Sequence, residues 1–89
     1  MTLEERRKRI LRGQNAAELL RQPILAEAAQ ALNRHCFELF VSAGDDTAGD
    51  FDRERAKRLV NGADALLDLL REWATDAQIL QEEPHDPDV

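Results

Sequence analysis

The chain has 89 residues, with 12 Lys or Arg against 18 Asp or Glu, so its formal net charge at pH 7 is −6. This acidity argues against a general nucleic-acid binder, and the single cysteine excludes a disulfide within the chain. No apolar run reaches the length of a membrane span, about 18 residues, and the first residues lack the apolar segment of a secretory signal. We therefore expect one small domain in a reducing, cytoplasmic setting.

Two helices are predicted in the first half of the chain. Thr2 followed by Glu5 forms a capping box that begins a first helix over about residues 3–22. Proline disfavours the α conformation in the residue before it but suits a first helical position. Pro23 therefore starts a second helix over about 23–43, either after a break or as a kinked continuation of the first.

A third helix is predicted after a short polar loop. Gly44 ends the second helix, and Asp50 is the predicted N-cap of a helix over about 51–81. Residues 82–89 are an acidic, proline-containing tail. No segment alternates with period two, so the predicted fold is all-α with no strands.

One long apolar stripe runs along the third helix at steps of three and four, which is typical of helix-on-helix packing. It comprises Ala56, Leu59, Ala63, Leu66, Leu70, Trp73, Ala77 and Leu80. We predict a long helical hairpin, in which the first two helices, kinked near Pro23, pack antiparallel on the third. The basic segment 6–12 would then meet the acidic tail 82–89, whereas a compact three-helix bundle, the alternative fold, would separate these charges.

A two-helix hairpin leaves further apolar faces uncovered, and such faces usually mark an interface. The predicted partner interface comprises Ile24, Phe37, Val41, Val60, Leu67, Trp73 and Ala74. We expect these residues to bind a second copy of the chain, a larger assembly, or both.

The basic segment carries a possible nucleic-acid contact, formed by Arg6, Arg7, Lys8, Arg9 and Arg12. The structural alternative is a solvated face that pairs with acidic side chains. The chain has no Tyr, and its three Phe and one Trp lie on apolar stripes, so stacking on single-stranded bases is not expected.

No catalytic or metal-binding pattern is present in the sequence. The loop acids Asp45, Asp46, Asp50 and Asp52 fit no calcium-loop register and suit turns and caps. His35 and Cys36 are adjacent, and adjacent helical residues do not face each other. We predict a protein that is not an enzyme and has no cofactor, no metal, no small-molecule substrate and no membrane partner.

A second pattern extends over roughly residues 12–80, through Arg12, Gly13, Ala16, Leu19, Leu20, Pro23, Leu25, Glu27, Ala28, Arg53, Glu54, Val60, Ala63, Asp64 and Leu66. In this pattern the chain resembles a group of small helical proteins that tailed bacteriophages and prophages encode among their genes for DNA packaging and head assembly. The resemblance implies a viral setting beside large oligomeric machines. The resemblance implies no activity and no catalytic residue for this chain.

The sequence thus favours a non-enzymatic phage structural or assembly protein that oligomerises, or docks on a head, portal or packaging component. One alternative is a DNA-associated packaging factor, such as a small terminase-like subunit, that uses the basic first helix. A further alternative is a host-directed regulatory adaptor. The expected location is the host cytoplasm during infection, or the virion.

Overall fold

The computed structural model describes residues 1–83, which form three α-helices and no strand. Helix α1 spans Leu3–Leu20, α2 spans Pro23–Ser42 and α3 spans Thr47–Glu82, so the all-α prediction is confirmed. The chain divides into two compact units. The α1 unit contains Met1–Gln22 and α3 from Leu67 onward, and the α2 unit is Pro23–Leu66. Helix α3 belongs to both units and contacts α1 in one and α2 in the other.

Helix α1 begins and ends with local hydrogen bonds. The predicted cap is confirmed, because the Thr2 hydroxyl accepts a hydrogen bond from the Glu5 N–H at 3.1 Å. At the other end, the N–H groups of Arg21 and Gln22 donate to carbonyls three residues earlier, at 3.2 and 3.1 Å, which tightens the last turn. The helix therefore stops two residues before the predicted end, and Pro23 starts α2.

Helix α3 begins earlier than predicted, and Asp50 is not its cap. The Asp46 carboxylate accepts a hydrogen bond from the Gly49 N–H at 2.9 Å, and the Asp46 carbonyl accepts one from the Asp50 N–H at 3.1 Å. Asp46 therefore caps a helix that starts at Thr47. The prediction was wrong because two aspartates four residues apart compete for the same role, and the earlier one has the cap geometry.

The loop between α2 and α3 is held by backbone contacts. A Cβ on Gly49 would fall on the Gly44 carbonyl. The first turn of α3 can therefore pack on the end of α2 only because residue 49 has no side chain. The Arg53 guanidinium donates to the carbonyls of Ala43 and Gly44, at 3.4 and 3.1 Å. These bonds satisfy carbonyl groups that the end of α2 leaves without helical partners.

In the α1 unit, α1 runs antiparallel to α3. Arg6, early in α1, reaches the Leu80 carbonyl late in α3, while Arg12 lies on Trp73, about two turns earlier in α3. This pairing is that of the predicted hairpin and is incompatible with an up-down-up bundle, in which α1 and α3 would run parallel. The buried residues of the unit are Gly13, Ala16, Leu70, Ala77 and Leu80.

The α2 unit packs more thinly. Its buried hydrophobic side chains are Cys36 on α2 and Ala56 on α3, both at or below 3% exposure. Two members of the predicted stripe, Leu59 and Leu66, are exposed rather than buried. The stripe is wider than the contact, because helices that meet through small side chains bury only a narrow strip of each surface.

Candidate functional site

The predicted nucleic-acid residues lie in the α1 unit, and three of the five contact α3. The Arg6 guanidinium donates to the Leu80 carbonyl and lies 3.8 Å from the Glu83 carboxylate. The Arg9 guanidinium donates to both carboxylate oxygens of Asp76, with Nε 3.0 Å from Oδ2. These cations are therefore engaged inside the unit.

Arg12 completes the same row through an aromatic contact. Its guanidinium carbon lies 4.5 Å from the centroid of the Trp73 ring, which is a cation–π distance. Arg7 and Lys8 point elsewhere and are exposed, and Lys8 lies 3.6 Å from Glu4 one turn away. Of the five predicted cations, only Arg7 and Lys8 make no contact with α3, so only these two remain available to bind phosphate.

The predicted meeting of the basic segment with the acidic tail is only partly right. Arg6 reaches Glu83, but Arg9 pairs with Asp76, which lies within the helix and before the tail. The hydrogen bonds that Arg9 donates to the Asp76 carboxylate raise the pKa of Arg9 above its ordinary value. The basic segment therefore lies against the last turns of α3 and not against the tail alone. Residues 84–89 of the predicted tail lie outside the described part of the chain.

An apolar groove of about 420 Å³ lies on one side of the α2 unit. Phe37 and Phe40 line it from α2, and Val60 lines it from α3. Phe37 is 67% exposed and Phe40 is 41% exposed. Buried Cys36 and Ala56 form the floor, and the polar lining residues are Asn33, Lys57 and Asn61. We call this feature the aromatic groove.

The seven predicted interface residues are divided between the two units. Phe37 and Val60 line the aromatic groove, and Val41 is exposed one turn beyond Phe37. Ile24 is also exposed, but thirteen helical residues turn it about 140° away from Phe37. The remaining members, Leu67, Trp73 and Ala74, are half-buried in the α1 unit.

Some exposed apolar residues were absent from the predicted interface. Phe40 completes the aromatic groove, and its spacing of three from Phe37 was a usable signal. Phe51, Leu59 and Leu66 are also exposed. Leu59 and Leu66 were assigned to the core stripe, and their exposure depends on how closely the two helices approach, which the spacing does not show.

The described residues offer no arrangement for metal binding. No group of three or more His, Cys, Asp or Glu side chains within residues 1–83 could hold a metal ion. His35 is exposed whereas Cys36 is buried, so the two side chains point in different directions. Within the same residues, no helix is both long enough and apolar enough to cross a membrane.

Comparison of the chain with protein-family models, with curated proteins and with solved structures finds no match.

Proposed function

We propose that the chain is a non-enzymatic assembly protein of a tailed phage, and that it docks on a head, portal or packaging protein through the aromatic groove. The observation that carries the proposal is the exposure of Phe37 and Phe40 on the walls of one groove. A folded chain gains nothing from two aromatic rings held in water side by side.

The energetics of the groove favour a protein partner. Burying a phenylalanine side chain that was exposed stabilises a complex by about 1.5–3 kcal/mol. Aromatic residues at the centre and polar residues at the edge are the usual anatomy of a protein interface. Here Phe37 and Phe40 supply the centre, while Asn33, Lys57 and Asn61 supply the edge.

The phage setting rests on the sequence pattern. The resemblance to small helical proteins encoded among packaging and head-assembly genes includes Val60, which lines the groove, and Gly13, which lies between α1 and α3. The DNA-associated alternative has less support, because Arg6, Arg9 and Arg12 are engaged by α3.

The test is recovery of the partner from phage-producing cells. Tagged wild-type chain and the variant Phe37→Ser would be purified after cross-linking, and the captured phage proteins quantified by mass spectrometry. We expect a head, portal or packaging protein with the wild type, and at least about tenfold less with the variant, the effect of losing a few kcal/mol at an interface anchor.

The matched control is Ile79→Ser, because Ile79 is an exposed apolar residue on α3 in the α1 unit. It should capture as much partner as the wild type, and circular dichroism should show equal helix content in all three proteins. Undiminished capture by Phe37→Ser would contradict the groove as the docking site. Capture of host proteins alone would favour the regulatory adaptor.

A further inference from the structure

Gly62 is the one helical glycine in residues 1–83 whose missing side chain serves no contact within the chain. A Cβ on Gly62 would meet no atom within 4 Å, whereas a Cβ on Gly13 or Gly49 would strike neighbouring backbone. Glycine is the least favourable helix residue after proline, and Gly62 lies well inside α3. The usual benefit of such a glycine is the close approach of another backbone.

The surface around Gly62 is mostly apolar, with exposed His35 and Arg58 at its edge, and it lies on the opposite side of the α2 unit from the aromatic groove. Leu59, Gly62 and Leu66 follow at steps of three and four and share a face of α3, with Leu66 57% exposed. Val60, in the groove, is turned about 100° from Leu59. We call this surface the Gly62 face; it comprises Ile24, Ala28 and Ala31 on α2 and Leu59, Gly62 and Leu66 on α3.

The charges beside the Gly62 face are complementary. Helix α3 carries Arg55 there, together with Arg58, which lies 3.5 Å from Glu54, and α2 carries Glu38. Because Cys36 and Ala56 both line the floor of the groove, Glu38 lies roughly level with Arg55 along the hairpin. Among the ion pairs within residues 1–83, neither Glu38 nor Arg55 takes part.

We propose that a second copy of the chain binds the Gly62 face, forming a symmetric dimer of α2 units. A two-fold axis along the hairpin lays α2 of each copy on α3 of the other. Ala31 of one copy then lies against Gly62 of its partner, where two small residues allow close approach. Glu38 of each copy faces Arg55 of the other, so the pairing forms twice.

The first test is Gly62→Ala, because the substitution has opposite effects on the fold and on the dimer. Alanine favours the helix, so the thermal midpoint measured at low concentration should rise by about 4–8 °C. The added methyl obstructs the close approach, so the dissociation constant from analytical ultracentrifugation should increase about tenfold.

The control for this variant is Asn61→Ala. Asn61 is the neighbouring residue on α3 and lines the aromatic groove, so its substitution also favours the helix but leaves the Gly62 face unchanged. We expect an undiminished dimer. A wild-type chain that stays monomeric up to about 1 mM, where only the weakest associations remain undetected, would overturn the proposal.

The second test exchanges the charges between copies. Glu38→Arg alone places two cations opposite each other, and Arg55→Glu alone places two anions, so each variant should dimerise weakly. An equimolar mixture should restore the dimer, since both contacts of the mixed pair then join Arg to Glu. A mixture that associates no better than its components would overturn the predicted pairing.

This proposal is independent of the aromatic groove. Phe37→Ser should leave the dissociation constant of the dimer unchanged, and Gly62→Ala should still capture the docking partner. If Phe37→Ser abolishes self-association while Gly62→Ala does not, the second copy binds the groove and the proposed Gly62 dimer is wrong.

Discussion

Arg6, Arg9 and Arg12 follow one another at steps of three along α1 and so share the face that lies on α3. Each uses a different chemistry: Arg6 donates to a backbone carbonyl, Arg9 donates to both carboxylate oxygens of Asp76, and Arg12 covers the Trp73 ring. A guanidinium suits all three tasks, because it combines a planar face with several donors in fixed directions.

Substitution of Arg9 should therefore weaken the α1 unit. We expect Arg9→Gln to lower the thermal midpoint, because the glutamine amide cannot reproduce the two charge-assisted bonds to Asp76. The matched control is Arg7→Gln, since Arg7 is exposed. The difference between the two midpoints should shrink in high salt, which screens exposed charges. Equal midpoints at low salt would contradict a structural role for Arg9.

The charge of Arg9 introduces no pH dependence at ordinary pH. Asp76 raises the pKa of Arg9 in the folded chain, so the resulting stability is present below the unfolded pKa. It is lost only as the pH rises through the folded value. Both values lie above the range in which proteins are normally studied.

Helix α1 lies close to α3 because Gly13 has no side chain. A Cβ at this position would fall on the Trp73 carbonyl and on the Ala77 methyl group. The contact surface is built from small residues, with Ala16 and Ala77 buried beside Gly13.

Gly13→Ala should accordingly destabilise the chain even though alanine is the better helix former. We expect the forced separation of α1 from α3 to lower the free energy of unfolding by about 1–3 kcal/mol, measured by urea denaturation followed by circular dichroism. Gly62→Ala, at low protein concentration, should have the opposite sign. A stabilising effect of Gly13→Ala would mean that the two helices do not meet at this glycine.

The helices and their antiparallel pairing could be predicted from the sequence, because both depend on apolar spacing and on the turn residues at Pro23 and Gly44. The register of α1 on α3 could not be predicted, since it depends on which side chains meet across the contact, such as Arg9 with Asp76 and Arg12 with Trp73. The contacts of Arg9 and Arg12 with α3 could not be predicted either. A basic segment has the same sequence whether it faces solvent or a neighbouring helix.

The candidate site could be predicted in part. Phe37, Val41 and Val60 were identified from the apolar faces that a two-helix hairpin leaves uncovered. The exposure of Leu59 and Leu66 could not be foreseen, because spacing alone does not distinguish a residue under the neighbouring helix from one beside it.

At the level of the whole molecule, the two units differ in how much they bury. Within residues 1–83, the α1 unit buries Ala16, Leu70, Ala77 and Leu80, whereas the buried hydrophobic residues of the α2 unit are Cys36 and Ala56. Local opening is governed by the apolar contacts and hydrogen bonds that must be broken. The unit that carries both proposed binding surfaces is therefore the less stabilised one.

Hydrogen exchange should reveal this difference. At concentrations too low for self-association, we expect amides in α2 to exchange at least about tenfold faster than amides in α1, because opening the α2 unit costs less free energy. Raising the concentration should slow exchange in the α2 unit, including its part of α3, and leave α1 unchanged. Equal protection of both helices at low concentration would contradict the view that the α2 unit depends on its partners.

The chain has one cysteine and one tryptophan, and the fold places one in each unit. Cys36 is buried in the floor of the aromatic groove, so a thiol-modifying reagent should react with it faster once α2 separates from α3. Trp73 lies under Arg12 in the α1 unit, so its fluorescence changes when α1 leaves α3. The unaltered protein thus carries two natural probes, one chemical and one optical, that report separately on the two units.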